Sequence, residues 1–129
     1  MQIRAIDHLV LTTGDVERCI EFYTRVLGMQ KLEYGSGRLA LSFGEQKINV
    51  HPLNASITPL PAQPTPGAID LCLLSGVPLH EVLEHFRKHG VEVIEGPVAR
   101  NGARFPLLSV YIRDPDGNLI EIAEPAHFD

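Results

Sequence analysis

Four ionisable residues stand in short stretches that otherwise read as buried strands: His8 in "AIDHLVLT", His51 in "KINVH", Asp70 in "GAIDLCLL" and Glu121 in "GNLIEI". Strand side chains alternate between faces, so each of these residues is the ionisable group on its own side of its strand. Two imidazoles and two carboxylates form a ligand set suited to a divalent ion such as zinc, nickel, cobalt, iron or manganese. Without a cation, acids on an apolar face would need donors or would stay protonated. Any one of the four has a plain structural reading, as a hydrogen-bonded histidine or a turn-capping acid, and it is the joint pattern that points to metal chemistry.

The elements that must position these residues repeat along the chain. A strand over 3–12 leads into a helix from the N-cap Asp15 to Gly28, followed by extended runs near 29–34, 38–43 and 46–52. The proline-rich text "LNASITPLPAQPTP" is a linker, because proline suits neither a central strand nor a helix interior. The same grammar then restarts, with strand "GAIDLCLL", a helix from Pro78 to Gly90 and extended runs near 92–99, 105–113 and 118–124. Matching the halves sets His8 opposite Asp70, Tyr23 opposite Phe86 and Gly28 opposite Gly90, and it sets His51 opposite Glu121. The expected organisation is module one at about 1–53, a linker at 54–66 and module two at about 67–125, forming a single α+β domain.

Composition excludes several classes. With 129 residues, 44% hydrophobic and 21% charged, the chain is an ordinary globular length of ordinary content. A formal charge of −5 argues against nucleic-acid binding, and no apolar run is long enough to span a membrane. The absence of a signal pattern makes the cytoplasm the expected location. Cys19 and Cys72 form no metal-binding pair and are expected in the core.

The remaining candidates are weaker. Arg38 in "GSGRLALSF" either clamps an anionic substrate group or points to solvent. Arg100 and Arg104 are expected to be solvated beside a turn. His80, His85 and His89 read as a solvated helix face, and His127 as part of a frayed tail.

The stretches "IDHLVLTTGDVERCIEFYTRVLGM", "RLALSFGEQKINVH" and "EGPVARNGARFPLLSVYIRDPDGNLIEI" together resemble the vicinal oxygen chelate superfamily, which contains glyoxalases, bleomycin resistance proteins and ring-cleaving dioxygenases. The nearest resemblance is to small glyoxalase-domain proteins, some of them described as virulence-associated. It implies two βαβββ modules curved into a mixed-sheet cup, a homodimer and a small-molecule substrate. It also implies a divalent metal held by His8, His51 and Glu121, with Asp70 at the fourth place, where glyoxalase I and the dioxygenases carry other residues. The expected chemistry is that of a lyase or isomerase: Lewis-acid activation of an oxygenated substrate, with Asp70 or Glu121 moving a proton. Ring cleavage in the same cup, or binding without turnover, is the alternative.

Overall fold

The structure, a computed structural model, describes residues 1–126, so His127 lies outside the described residues. The chain divides into two compact units, Met1–Gly67 and Ala68–Asp129. Among the described residues no helix is long and apolar enough to cross a membrane.

The first unit contains β1 (His8–Thr13), α1 (Val16–Glu21), β2 (Gln30–Tyr34), β3 (Arg38–Phe43) and β4 (Gln46–Pro52), with sheet order β1-β4-β3-β2. The β1/β4 pair is parallel and the other pairs are antiparallel. β1 begins at His8 and not at residue 3, because its partner strand begins only at Gln46, whose side-chain amide donates to the Ile6 carbonyl. Asp15 caps α1 as expected, its carboxylate accepting from the Arg18 amide. Helical backbone then continues as a π-helical turn over Phe22–Val26. There the Thr24 hydroxyl donates to the Ile20 carbonyl at 2.7 Å and competes with the main-chain ladder. Cys19 and Tyr23 from this helical segment are buried, as are Leu11, Leu41 and Ile48 of the sheet.

The second unit repeats the plan with β5 (Asp70–Leu74), α2 (Leu79–Lys88), β6 (Glu95–Asn101), β7 (Pro106–Arg113) and β8 (Leu119–Pro125) in the order β5-β8-β7-β6. Leu79, Val82 and Phe86 recur at helical spacing on the buried side of α2, and Val110, Ile112 and Ile120 are buried in the sheet. Pro78 cannot cap α2 with its side chain, and the Leu79 amide donates instead to the Glu124 carboxylate of β8 at 3.0 Å. β6 carries a bulge between Glu95 and Val98, where Gly96 has φ +104°. A Cβ at Gly96 would collide with the Ser109 carbonyl.

Two expectations from the sequence change here. Cys19 is buried but Cys72 is exposed, because it shares the open face of β5 with Asp70 and Leu74. His85 and His89 are half-buried and stack at 4.1 Å between ring centroids, with His89 Nδ1 bonded to the His85 carbonyl, so they do not form a fully solvated face.

Candidate functional site

In the second unit, the turn "DPDGN" sets the geometry. Asp114 is buried and accepts hydrogen bonds from the Asp116 and Asn118 amides and from Asn118 Nδ2. Asn118 Oδ1 in turn accepts from the Ile69 amide, and the Leu119 amide donates to the Ile69 carbonyl. The turn therefore locks β8 against β5 in one register, with Asp70 beside Leu119 and Cys72 beside Glu121. On its other side Glu121 faces Tyr111 of β7.

Asp70, Glu121, Tyr111, Arg100, Glu95 and Arg113 line one cavity of about 360 Å³. Arg100 donates to the Tyr111 hydroxyl at 2.9 Å and to Glu95 at 3.1 Å, so it is a cavity residue and not a solvated turn residue. Among the described residues neither Asp70 nor Glu121 is ion-paired. The field of these acids is felt by their neighbours. Burial, the charge and hydrogen bond of Glu121, and Asp70 push the Cys72 thiol up to about 11 from 9.0. Burial and Glu121 also raise the Tyr111 phenol against the opposing effect of Arg100.

In the first unit, His8 is exposed and its Nδ1 lies 2.8 Å from an Asp7 carboxylate oxygen. That contact holds the ring with Nε2 available, the arrangement seen when a carboxylate orients a metal-ligating imidazole. His51 is buried and its Nδ1 has no hydrogen-bond partner among the described residues; the same is true of Asn49 Oδ1. Burial, followed by the Arg38 charge, lowers the His51 pKa below 6.5. His51 and Arg38 line a cavity of about 550 Å³.

The strand register corrects the reading of His51. His8 pairs with Lys47, whereas His51 pairs with Thr12, four positions further along β1. At about 3.3 Å per residue their Cα positions stand roughly 13 Å apart along the sheet, so the register does not bring the two residues side by side. Superimposing the β1/β4 pair on β5/β8, with His8 on Asp70 and Lys47 on Leu119, places Asn49 on Glu121 and His51 on Ala123. Asn49 is thus the residue equivalent to Glu121. It lies two residues before His51, the position that matching the halves by sequence selects. Among the described residues no group of three or more His, Cys, Asp or Glu side chains comes together in a metal-holding cluster.

Residues 5–122 match the profile of the Glyoxalase/Bleomycin resistance protein/Dioxygenase superfamily. The chain belongs to this superfamily. It is 46% identical over 123 residues to the glyoxalase domain-containing protein RDO1 of Mycosarcoma maydis, covering 95% of this chain and 69% of that protein. To virulence protein STM3117 of Salmonella typhimurium it is 46% identical over 124 residues, covering 96% of this chain and 86% of that protein. The solved structure of STM3117 aligns with a TM-score of 0.96 over 98% of this chain and 100% of that one. A more distant superfamily relative is the lactoylglutathione lyase of Escherichia coli O157:H7, at 30% identity over 128 residues, 91% of this chain and 90% of that enzyme. The two four-stranded mixed sheets with few helices are the fold expected of this superfamily.

The depressed His51 pKa carries a sign for stability. The unfolded chain protonates this imidazole near 6.5 and the folded chain only at lower pH, so protonation favours unfolding and stability falls as the pH drops through 6.5. Urea unfolding between pH 7.5 and 5.5 should show a steeper loss in the wild type than in His51→Gln. Parallel curves for the two proteins would refute the assignment.

Proposed function

We propose that this superfamily member is a metal-dependent glyoxalase-like enzyme acting on a small oxygenated substrate. The observation that carries the reading is the pair of carboxylates, Asp70 and Glu121, that share one cavity without an ion-pair partner among the described residues. Two anionic oxygens on a part-buried face favour a divalent cation, and oxygen and imidazole donors suit the ions expected from the sequence. Glu121 is the proposed ligand in the second unit, and His8, through the Nε2 that Asp7 leaves available, is the proposed ligand in the first. Superfamily members typically use a divalent metal, and such an ion polarises a bound carbonyl or hydroxyl oxygen. Asp70 is the proposed base, taking a proton from the carbon next to that oxygen. Tyr111, held by Arg100, positions the Glu121 carboxylate opposite it. We further propose that the enzyme works as a cytoplasmic homodimer.

Elemental analysis of protein purified without a nickel column should find one divalent ion per chain. Glu121→Gln should reduce it to background, whereas Asp70→Asn should retain it, since the base is not needed for binding. His51→Gln should also retain it. Sub-stoichiometric metal in the wild type, or full occupancy in Glu121→Gln, would overturn the proposal.

A further inference from the structure

The first unit holds a cavity that this chemistry does not use. It measures about 550 Å³ and is lined at one end by the hairpin residues Tyr34, Gly35, Ser36, Gly37 and Arg38, and at the other by His51, Pro52 and residues 55–57. None of His8, Asp70 and Glu121 lines it, and neither does any other acid, in a chain whose formal charge is −5. The ionisable groups on its wall, tyrosine apart, are one guanidinium and one imidazole, and the Lys47 ammonium sits 4.2 Å above the Tyr34 ring.

Two polar groups there lack a hydrogen-bond or ion-pair partner among the described residues. His51 is 9% exposed, and its Nδ1 is buried without a hydrogen bond among the described residues. Arg38 is half-buried and, among the described residues, joins no salt bridge. A buried imidazole nitrogen left unbonded is unfavourable, and a guanidinium without a carboxylate beside it offers a planar fork of donors. An oxyanion in the cavity accepts from the Arg38 fork and lies against the His51 imidazole, which lines the same wall. Glycine, serine and alanine at positions 35–37 and 55–56 leave the mouth without bulky side chains.

We propose that this cavity binds the anionic group of a small carboxylate- or phosphate-bearing molecule, with Arg38 and His51 as the residues that recognise it. The proposal does not depend on the metal chemistry.

The test is a nuclear magnetic resonance titration of the full chain at constant ionic strength, with inorganic phosphate in one arm and propionate in the other. Saturable shifts of the His51 imidazole and of the amides of residues 35–38 are expected with at least one anion, and the tighter arm identifies the class. Arg38→Gln should weaken binding at least tenfold while its amide spectrum stays folded, and Arg38→Lys should recover part of the loss. Should Arg38→Gln unfold, His51→Gln serves in its place with the same expected weakening. Adding EDTA should leave the affinity unchanged, which separates this site from an anion resting on a metal. The proposal is overturned if neither anion gives saturable shifts, if Arg38→Gln binds as tightly as the wild type, or if EDTA abolishes binding.

Discussion

In EDTA-treated, metal-free protein Cys72 should react with iodoacetamide at pH 8 roughly tenfold more slowly than an unperturbed thiol despite being exposed, since the loss of thiolate is offset in part by its greater nucleophilicity. The nucleophile is the thiolate, and burial together with Glu121 and Asp70 raises the thiol to about 11 from 9.0, which cuts the thiolate fraction by roughly two decades. The acids act because β5 and β8 are parallel neighbours that put Cys72 directly beside Glu121, with Asp70 two positions along the same face. Glu121→Gln removes the charge and should speed alkylation measurably, and Asp70→Asn should speed it less, following the order of the two influences. Cys19 is buried and should stay silent in the folded chain. Mass spectrometry of peptides after timed quenching reads each cysteine separately. A Cys72 rate equal to that of a free thiol, or one indifferent to Glu121→Gln, would show that the carboxylate does not face the thiol. The same assay reports on the proposed metal, because a cation on Glu121 neutralises the charge that suppresses the thiolate; added zinc should accelerate alkylation in the wild type and not in Glu121→Gln.

Asp114→Ala should destabilise the fold by roughly 3–5 kcal/mol. The buried carboxylate accepts from the Asp116 amide, the Asn118 amide and Asn118 Nδ2, at 3.0, 2.9 and 2.8 Å. Alanine removes every acceptor at once, and buried donors left unmet cost more than the bonds themselves contributed. Asn118 would then lose the support that aims its Oδ1 at the Ile69 amide, loosening the start of β8 against β5. Asp114→Asn keeps the shape and one acceptor oxygen, so it should cost clearly less. For a chain of this length the alanine variant should melt roughly 10 °C or more below the wild type by circular dichroism. A shift of a degree or two would mean that the turn is held by other contacts.

Consequences of the turn reach the site. The register it imposes brings Glu121 between Cys72 and Tyr111 and into one cavity with Asp70. A variant that loosens the turn should therefore also raise Cys72 reactivity, linking the two measurements.

Much of this was legible from residue order alone, and for identifiable reasons. Helical spacing of Val16, Ile20, Tyr23 and Leu27, and of Leu79, Leu83 and Phe86, marked the two helices; of these Tyr23, Leu79 and Phe86 are fully buried, and Cys19, Val26 and Val82 complete the buried sides. Asp15 and Gly28 marked the first helix's ends through capping chemistry and positive φ. Alternation likewise put Asp70 and Glu121 on faces that the structure shows to be shared, since neighbouring strands in register keep parity.

Parity is also where sequence reasoning stopped. A strand slipped by two residues keeps every side chain on the same face, so alternation could not distinguish His51 from Asn49 as the counterpart of Glu121. Only the hydrogen-bonded register, His8 with Lys47 and Asp70 with Leu119, decided it in favour of Asn49. The exposure of Cys72 was hidden for a similar reason: an apolar run does not reveal which of its faces is covered. The recruitment of Arg100 and Tyr111 was set by cross-strand partners far away in sequence, a distance over which no local pattern carries information. By itself, then, the sequence determined the duplicated strand-and-helix plan and the faces of its acids, because periodicity and turn chemistry are local, while its motifs carried the resemblance to the superfamily. Tertiary structure alone decided which ionisable groups stand side by side, because strand register is settled by pairing between segments remote along the chain.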